Sequence, residues 1–81
     1  MQGIVKGISR NKQRMAILTE HGYTVFDIRD GEACMGDMIS GCLDDHGEQD
    51  LTNLSSGHRL CVYIEAIQAS KESAQSLLSH R

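Results

Sequence analysis

The sequence RMAILTEHGYTVFDI, residues 14–28, decides the fold class, because two apolar segments are separated by a short turn. Residues 14–20 and 23–28 are rich in the β-branched and aromatic residues that strands favour. His21 and Gly22 lie between them, and glycine supplies the positive φ that a tight hairpin turn requires. The stretch therefore predicts a β-hairpin.

The second strand of this hairpin shows which side faces the core. Side chains alternate between the two faces of a strand, so Asp27 lies on the face opposite Phe26 and Ile28. A carboxylate is costly to bury. We therefore expect Phe26 and Ile28 to face inward, and Tyr23 and Val25 to lie on a face open to solvent or to a ligand.

Further strand-like segments lie on both sides of the hairpin, separated by turns rich in glycine and polar residues. In the last segment, we expect Leu60, Val62, Ile64 and Ala66 to face the core. Residues 44–50 are predicted to form a polar loop. Short strands at this spacing predict an all-β barrel rather than a layered α/β fold. The predicted strands are residues 2–9, 14–20, 23–28, 38–43, 51–54 and 59–67.

The chain changes character after residue 69, which divides it into a β-barrel over residues 1–69 and a C-terminal segment over residues 70–81. That segment offers Ser70 as a helix N-cap and places Leu77 and Leu78 on one helical side. It predicts a short helix or a flexible tail. A helix of this length is marginal alone, so Leu77 and Leu78 would pack on the barrel or on another subunit.

Charge is distributed unevenly along a chain whose formal net charge is −3. From Glu20 to Asp50 inclusive, the sequence contains nine acidic residues and a single basic residue, Arg29. The basic residues Lys6, Arg10, Lys12 and Arg14 all precede Glu20. Such asymmetry orients a protein toward a charged partner or is simply a solvated surface.

The sequence contains no pattern that indicates catalysis or a cofactor. Cys34, Cys42 and Cys61 form no close pair of the kind used by zinc or redox motifs, and we expect reduced thiols with a buried apolar role. No histidine pair has metal-binding spacing. We therefore predict no enzymatic activity, no catalytic residue, no metal and no cofactor. The start of the chain lacks a secretory signal, and no membrane-length apolar run is present, which predicts a cytoplasmic protein without membrane contact.

The first forty residues resemble the start of a cold-shock domain. The similar segments are GIVKGIS at residues 3–9, KQRMAI at residues 12–17 and the Val-Phe pair at residues 25–26. The resemblance implies a five-stranded OB-fold barrel that binds single-stranded RNA or DNA. Gly7 stands where that family has an exposed aromatic residue. Arg14 and Ala16 stand where that family has aromatic residues in its second strand.

Two functions follow as hypotheses. The first is weak binding of single-stranded RNA or DNA through strands one to three, in which the guanidinium of Arg14 stacks on a base. The second is a protein-interaction or oligomerisation module that has lost nucleic-acid binding and associates through Leu77 and Leu78. The residues predicted to contact nucleic acid are Lys6, Arg10, Lys12, Arg14 and Tyr23.

Overall fold

A computed structural model describes residues 1–79, which form a closed barrel of six β-strands followed by one α-helix. The strands pair antiparallel in the order β1-β2-β3-β6-β5-β4, and β4 returns to β1. The prediction of an all-β closed barrel with a short C-terminal helix is confirmed, with six strands rather than the five that the cold-shock resemblance implies. No helix within residues 1–79 is long and apolar enough to cross a membrane. The elements are β1 (Gln2–Ile8), β2 (Arg14–Thr19), β3 (Gly22–Asp30), β4 (Met38–Ser40), β5 (Gly47–Asn53), β6 (His58–Ala69) and α1 (Lys71–Ser79).

The first half of β5 comes from a segment whose polar composition predicts a loop, so the predicted loop at residues 44–50 is wrong from Gly47 onward. β5 begins at Gly47 and pairs with β6 over its whole length, from Gly47 opposite Ile64 to Asn53 opposite His58. Its exposed residues are polar, and only Leu51 and Asn53 are fully buried. Apolar content alone therefore misses the first half of this strand.

The barrel interior contains the apolar residues that the alternation assigns to it, with one exception. Phe26 is fully buried and Ile28 packs against the same core, as predicted. On β6, Leu60, Val62 and Ile64 are also buried inside.

Ala66 breaks this alternation, because β6 contains a bulge. Phe26 pairs with Ile64, whereas its neighbour Val25 pairs with Ala66, so one extra residue of β6 lies between the two pairs. Beyond the bulge Ile67 packs against the barrel core, and Ala66 lies in the cluster beneath α1. The prediction that Ala66 faces the barrel core is therefore wrong.

The helix α1 lies across the outer face of β1, β2 and β3. Ala74 is buried against Ala16 and Val25, and Leu77 and Leu78 pack around them. Val25 is therefore fully buried, and its predicted place on an open face is wrong. Of the two places expected for Leu77 and Leu78, the barrel or another subunit, the structure shows the barrel.

Small residues let α1 approach the sheet closely. A Cβ atom at Gly7 would lie 2.5 Å from Cδ1 of Leu78, so only glycine leaves room for this leucine in its observed position. Ser70 caps the helix as predicted, because its Oγ accepts a hydrogen bond from the N–H of Ser73 at 3.1 Å. Residues 71–79 thus form a docked helix, and the last two residues of the predicted C-terminal segment lie outside the described residues.

A buried polar centre fixes the loop that leads into β4. Asn53, which is 1% exposed, donates from Nδ2 to Asp37 Oδ2 at 2.9 Å, and the same carboxylate accepts the N–H of Cys34 at 2.9 Å. Oδ1 of Asn53 accepts the N–H groups of Ser55 and Ser56. These hydrogen bonds, that from Asn53 first, lower the pKa of Asp37 from its ordinary value of 3.8.

We expect the stability contributed by Asp37 to depend on pH. Because its pKa is lower in the folded state than in the unfolded state, this contribution is present above about pH 4 and is lost as the pH falls through the folded pKa. Asp37→Asn should therefore lower the free energy of unfolding at pH 7, and the difference from wild type should shrink toward about pH 3. Urea unfolding at both pH values measures this. Asp30→Asn, at an exposed aspartate, is the control, and an Asp37→Asn difference that does not change with pH would contradict the assignment.

Candidate functional site

Arg14, the residue predicted to stack on a base, is held in a bidentate ion pair. Its Nε donates to Asp27 Oδ1 at 2.6 Å and its Nη2 donates to Asp27 Oδ2 at 3.2 Å. The two residues are direct cross-strand partners on β2 and β3. The hydrogen bond to Asp27 is the main cause that raises the pKa of Arg14.

Arg14 also binds the end of α1. Its Nη1 donates to the carbonyl oxygen of Leu77 at 3.2 Å, which is one of the terminal helix carbonyls that lack a partner within the helix. A cation at this end of a helix is also favourable to the helix dipole. Arg14 therefore connects β2, β3 and α1, and its guanidinium is occupied within the chain.

Lys6 and Tyr23, two of the other predicted residues, line a single groove between β1 and α1. Lys6 is the extra residue of a β-bulge between Val5 and Gly7, which places its side chain beside the helix. The groove has a volume of about 400 Å³. We call it the lysine groove, and its lining residues are Lys6, Gly7, Ile8, Ala16, Tyr23, Met35, Lys71, Ala74, Gln75 and Leu78.

The lysine groove has an apolar floor and a positive rim. Lys6 and Lys71 supply two ammonium groups, and none of the described residues that line the groove is acidic. Met35, which is 60% exposed, and the half-buried Tyr23 add apolar surface. In a chain of net charge −3, this is a local excess of positive charge that favours an anionic ligand with an apolar part.

Sequence reasoning missed Lys71 and Met35. A signal for Lys71 was present, because Lys71, Ala74 and Leu78 follow the i, i+3, i+7 spacing that puts residues on one helical face. The face predicted to pack on the barrel therefore carries Lys71 at its first turn. Met35 lies in a loop, and the sequence offers no comparable signal for its position.

Arg10 and Lys12 lie at the turn between β1 and β2, away from the groove. Arg10 lines a shallow recess at the end of α1, beside Leu78. Lys12, which has a φ of 64°, lies in the turn and shares another recess with Asp30 and Glu32. The five predicted residues therefore do not form one continuous basic face.

The exposed ring of Tyr63 has a partner within the chain. The guanidinium carbon of Arg29 lies 5.5 Å from the ring centroid of Tyr63, a cation–π arrangement on the outside of β3 and β6. Tyr63 lies on β6, outside the lysine groove. Tyr23 is thus the ring that the groove offers to a ligand.

The cysteines do not have the buried role predicted for them. Cys34 and Cys42 are exposed and Cys61 is half-buried. Desolvation, followed by the hydrogen bond to Asp45, raises the pKa of the Cys42 thiol, and desolvation and the charge of Asp50 raise that of Cys61. A raised pKa keeps a thiol protonated, which is the opposite of what a nucleophilic cysteine needs. Within residues 1–79, no group of three or more His, Cys, Asp or Glu side chains is arranged to hold a metal ion.

The contacts of Arg14 predict that this residue holds α1 on the barrel. Replacing it with methionine keeps a long side chain but removes the ion pair and the bond to Leu77, so Arg14→Met should lower the free energy of unfolding by about 1–2 kcal/mol. The substitution should increase the rate of amide hydrogen exchange more in α1 than in β6. Arg10→Met, at an exposed arginine, is the control. Undiminished protection of α1 in Arg14→Met would show that apolar packing alone holds the helix.

Comparison with protein-family models, with curated proteins and with solved structures finds no significant match. The resemblance to cold-shock domains therefore stays a prediction from the sequence. The function has to be argued from the residues of this chain.

Proposed function

We propose that the protein is a non-enzymatic binding module with an OB-like barrel that binds single-stranded RNA or DNA weakly, at the lysine groove. The observation that carries the proposal is the composition of this groove. Lys6, Lys71 and Tyr23 surround an apolar floor, and the described lining contains no acidic side chain. Phosphate attracts lysine, and bases pack on rings and apolar surface, so both parts of a nucleotide find a complementary group.

Each group in the groove has a role in this proposal. The ammonium groups of Lys6 and Lys71 contact phosphates of the backbone. A base packs between the ring of Tyr23 and the thioether of Met35, and the amide of Gln75 reaches its edge. A volume of about 400 Å³ lies at the lower end of the range for small-ligand sites, so the groove holds one base rather than several.

The proposed site differs from the one that the cold-shock resemblance implies. In that family the bases stack along the outer face of strands one to three, which α1 covers here. The positions of two missing rings, Gly7 and Ala16, lie beneath the helix and give it space. A single ring, Tyr23, supports a stacking contribution of about 1–3 kcal/mol, so we expect weak binding.

Titration of the full chain with a short single-stranded oligonucleotide tests the proposal. Amide resonances of β1, of the first turn of α1 and around Tyr23 should shift at low ionic strength. With two phosphate contacts, the logarithm of the association constant should fall with the logarithm of salt concentration with a slope of about −1.4, because each contact to a single strand contributes about −0.7. Tyr23→Leu should lose most of the stacking contribution.

Two charge-reversal variants distinguish binding in the lysine groove from a general effect of the net charge on affinity. Lys71→Glu and Lys12→Glu change the net charge equally, but only Lys71 lines the groove. Lys71→Glu should weaken binding several-fold more than Lys12→Glu. Equal losses in the two variants, or an unchanged spectrum on adding oligonucleotide to the wild type, would refute binding in the lysine groove.

A further inference from the structure

Apolar side chains form a row across the outside of the barrel, perpendicular to the strands. Met38 of β4 is the register partner of Ile4 of β1, and Ile4 is the partner of Leu18 of β2. Leu18 in turn lies opposite Tyr23 of β3. Leu54 extends the row past the end of β5, since its N–H donates to the carbonyl of Met38 at 2.8 Å. Register partners point to the same face, so these five side chains are neighbours, and we call them the outer row.

The outer row is partly open to solvent, and two of its five side chains are exposed. The residues adjacent to it in the strands, Val5, Ile17, Thr24 and Ile39, are buried, which shows that the row itself points away from the core. Leu18 is 38% exposed and Leu54 is 48% exposed, and the other members of the row are half-buried.

Among the described residues, α1 packs only on the Tyr23 end of the row. Contiguous apolar surface that is open to solvent is a feature of protein interaction sites.

Charge is arranged with opposite sign on the two sides of the row. Lys6, two residues beyond Ile4, lies on the side next to α1, together with Lys71. Because β1 and β2 run antiparallel, Glu20, two residues beyond Leu18, lies on the other side. The side chain of Glu20 is 79% exposed, and His21 is its neighbour at 3.8 Å.

This arrangement is self-complementary. A two-fold axis that runs along the row, in the plane of the interface, exchanges its two sides, so Lys6 of one copy would face Glu20 of the other, and the reverse. We propose that the outer row is the surface through which two copies of this chain associate, around a two-fold axis that runs along the row through Ile4 and Leu18. The apolar side chains supply the affinity, and the two ion pairs at the rim fix the orientation.

The dimer is expected to be weak. The row curves around a barrel whose largest extents are 30, 26 and 23 Å, so a second copy contacts its centre more closely than its ends. The contact is therefore smaller than the roughly 800 Å² per partner of a standard interface. The proposal does not depend on nucleic-acid binding, because the apolar outer row and the charges of Lys6 and Glu20 are present without a ligand.

Sedimentation equilibrium of the full chain without nucleic acid tests the proposal at concentrations up to about 1 mM, where even a weak dimer is populated. Wild type should show a reversible monomer–dimer equilibrium. Leu18→Lys should be monomeric throughout. Tyr63→Lys is the matched control, because Tyr63 is equally exposed, at 36%, but lies on β6 outside the row. It should dimerise like wild type, and native circular dichroism of each variant checks that it folds.

A charge exchange tests the axis itself. Lys6→Glu and Glu20→Lys should each weaken the dimer about fivefold, because each single change removes both symmetry-related pairs. The double variant Lys6→Glu/Glu20→Lys should restore wild-type affinity. A monomeric wild type at every concentration, or Leu18→Lys dimerising as wild type does, overturns the proposal. Failure of the double variant to recover affinity overturns the proposed axis.

Discussion

The position of α1 on the barrel depends on a polar contact on the outer surface, the bidentate pair between Arg14 and Asp27. The barrel places these two side chains opposite each other, and the remaining guanidinium N–H of Arg14 binds the carbonyl of Leu77 near the end of α1. A nine-residue helix is marginal in water and persists only through its contacts. Together with the packing of Ala74, Leu77 and Leu78, the pair therefore fixes which part of the barrel surface α1 covers and which part is open to a partner.

Because α1 covers the outer face of β1, β2 and β3, this face has no room for the aromatic rings that the cold-shock resemblance would place there. Gly7 and Ala16 are register partners on β1 and β2, and both lie under the last two turns of α1. Large aromatic side chains at these positions would occupy the space of Ala74 and Leu78. The same substitutions that remove a stacking platform thus create a docking surface for the chain's own helix, and ligand contacts are displaced to the edge of the helix.

Much of the fold could be predicted from the sequence, because patterns among residues close together in the chain determine many of its strands, turns and caps. Neighbouring residues predict the β2–β3 hairpin, the buried face of β6 up to Ile64 and the N-cap at Ser70, although the turn consists of Glu20 and His21 and Gly22 begins β3. The first half of β5 could not be predicted, because polar residues there are held in the sheet by pairing with β6. The site was only partly predictable for a similar reason. Lys6 and Tyr23 were found from their strands, whereas the role of Arg14 is set by Asp27, thirteen residues away, and by a helix 63 residues away.

The lysine groove and the outer row meet, since Tyr23 belongs to both and Lys6 borders the row as well as the groove. If both proposals hold, one ammonium group faces either a phosphate or the Glu20 carboxylate of a second copy, but not both at once. Binding of nucleic acid and self-association are then coupled with negative sign, and by linkage each weakens the other by the same factor. One small surface would in this way serve two partners, and the local concentration of each partner would decide which of them occupies it.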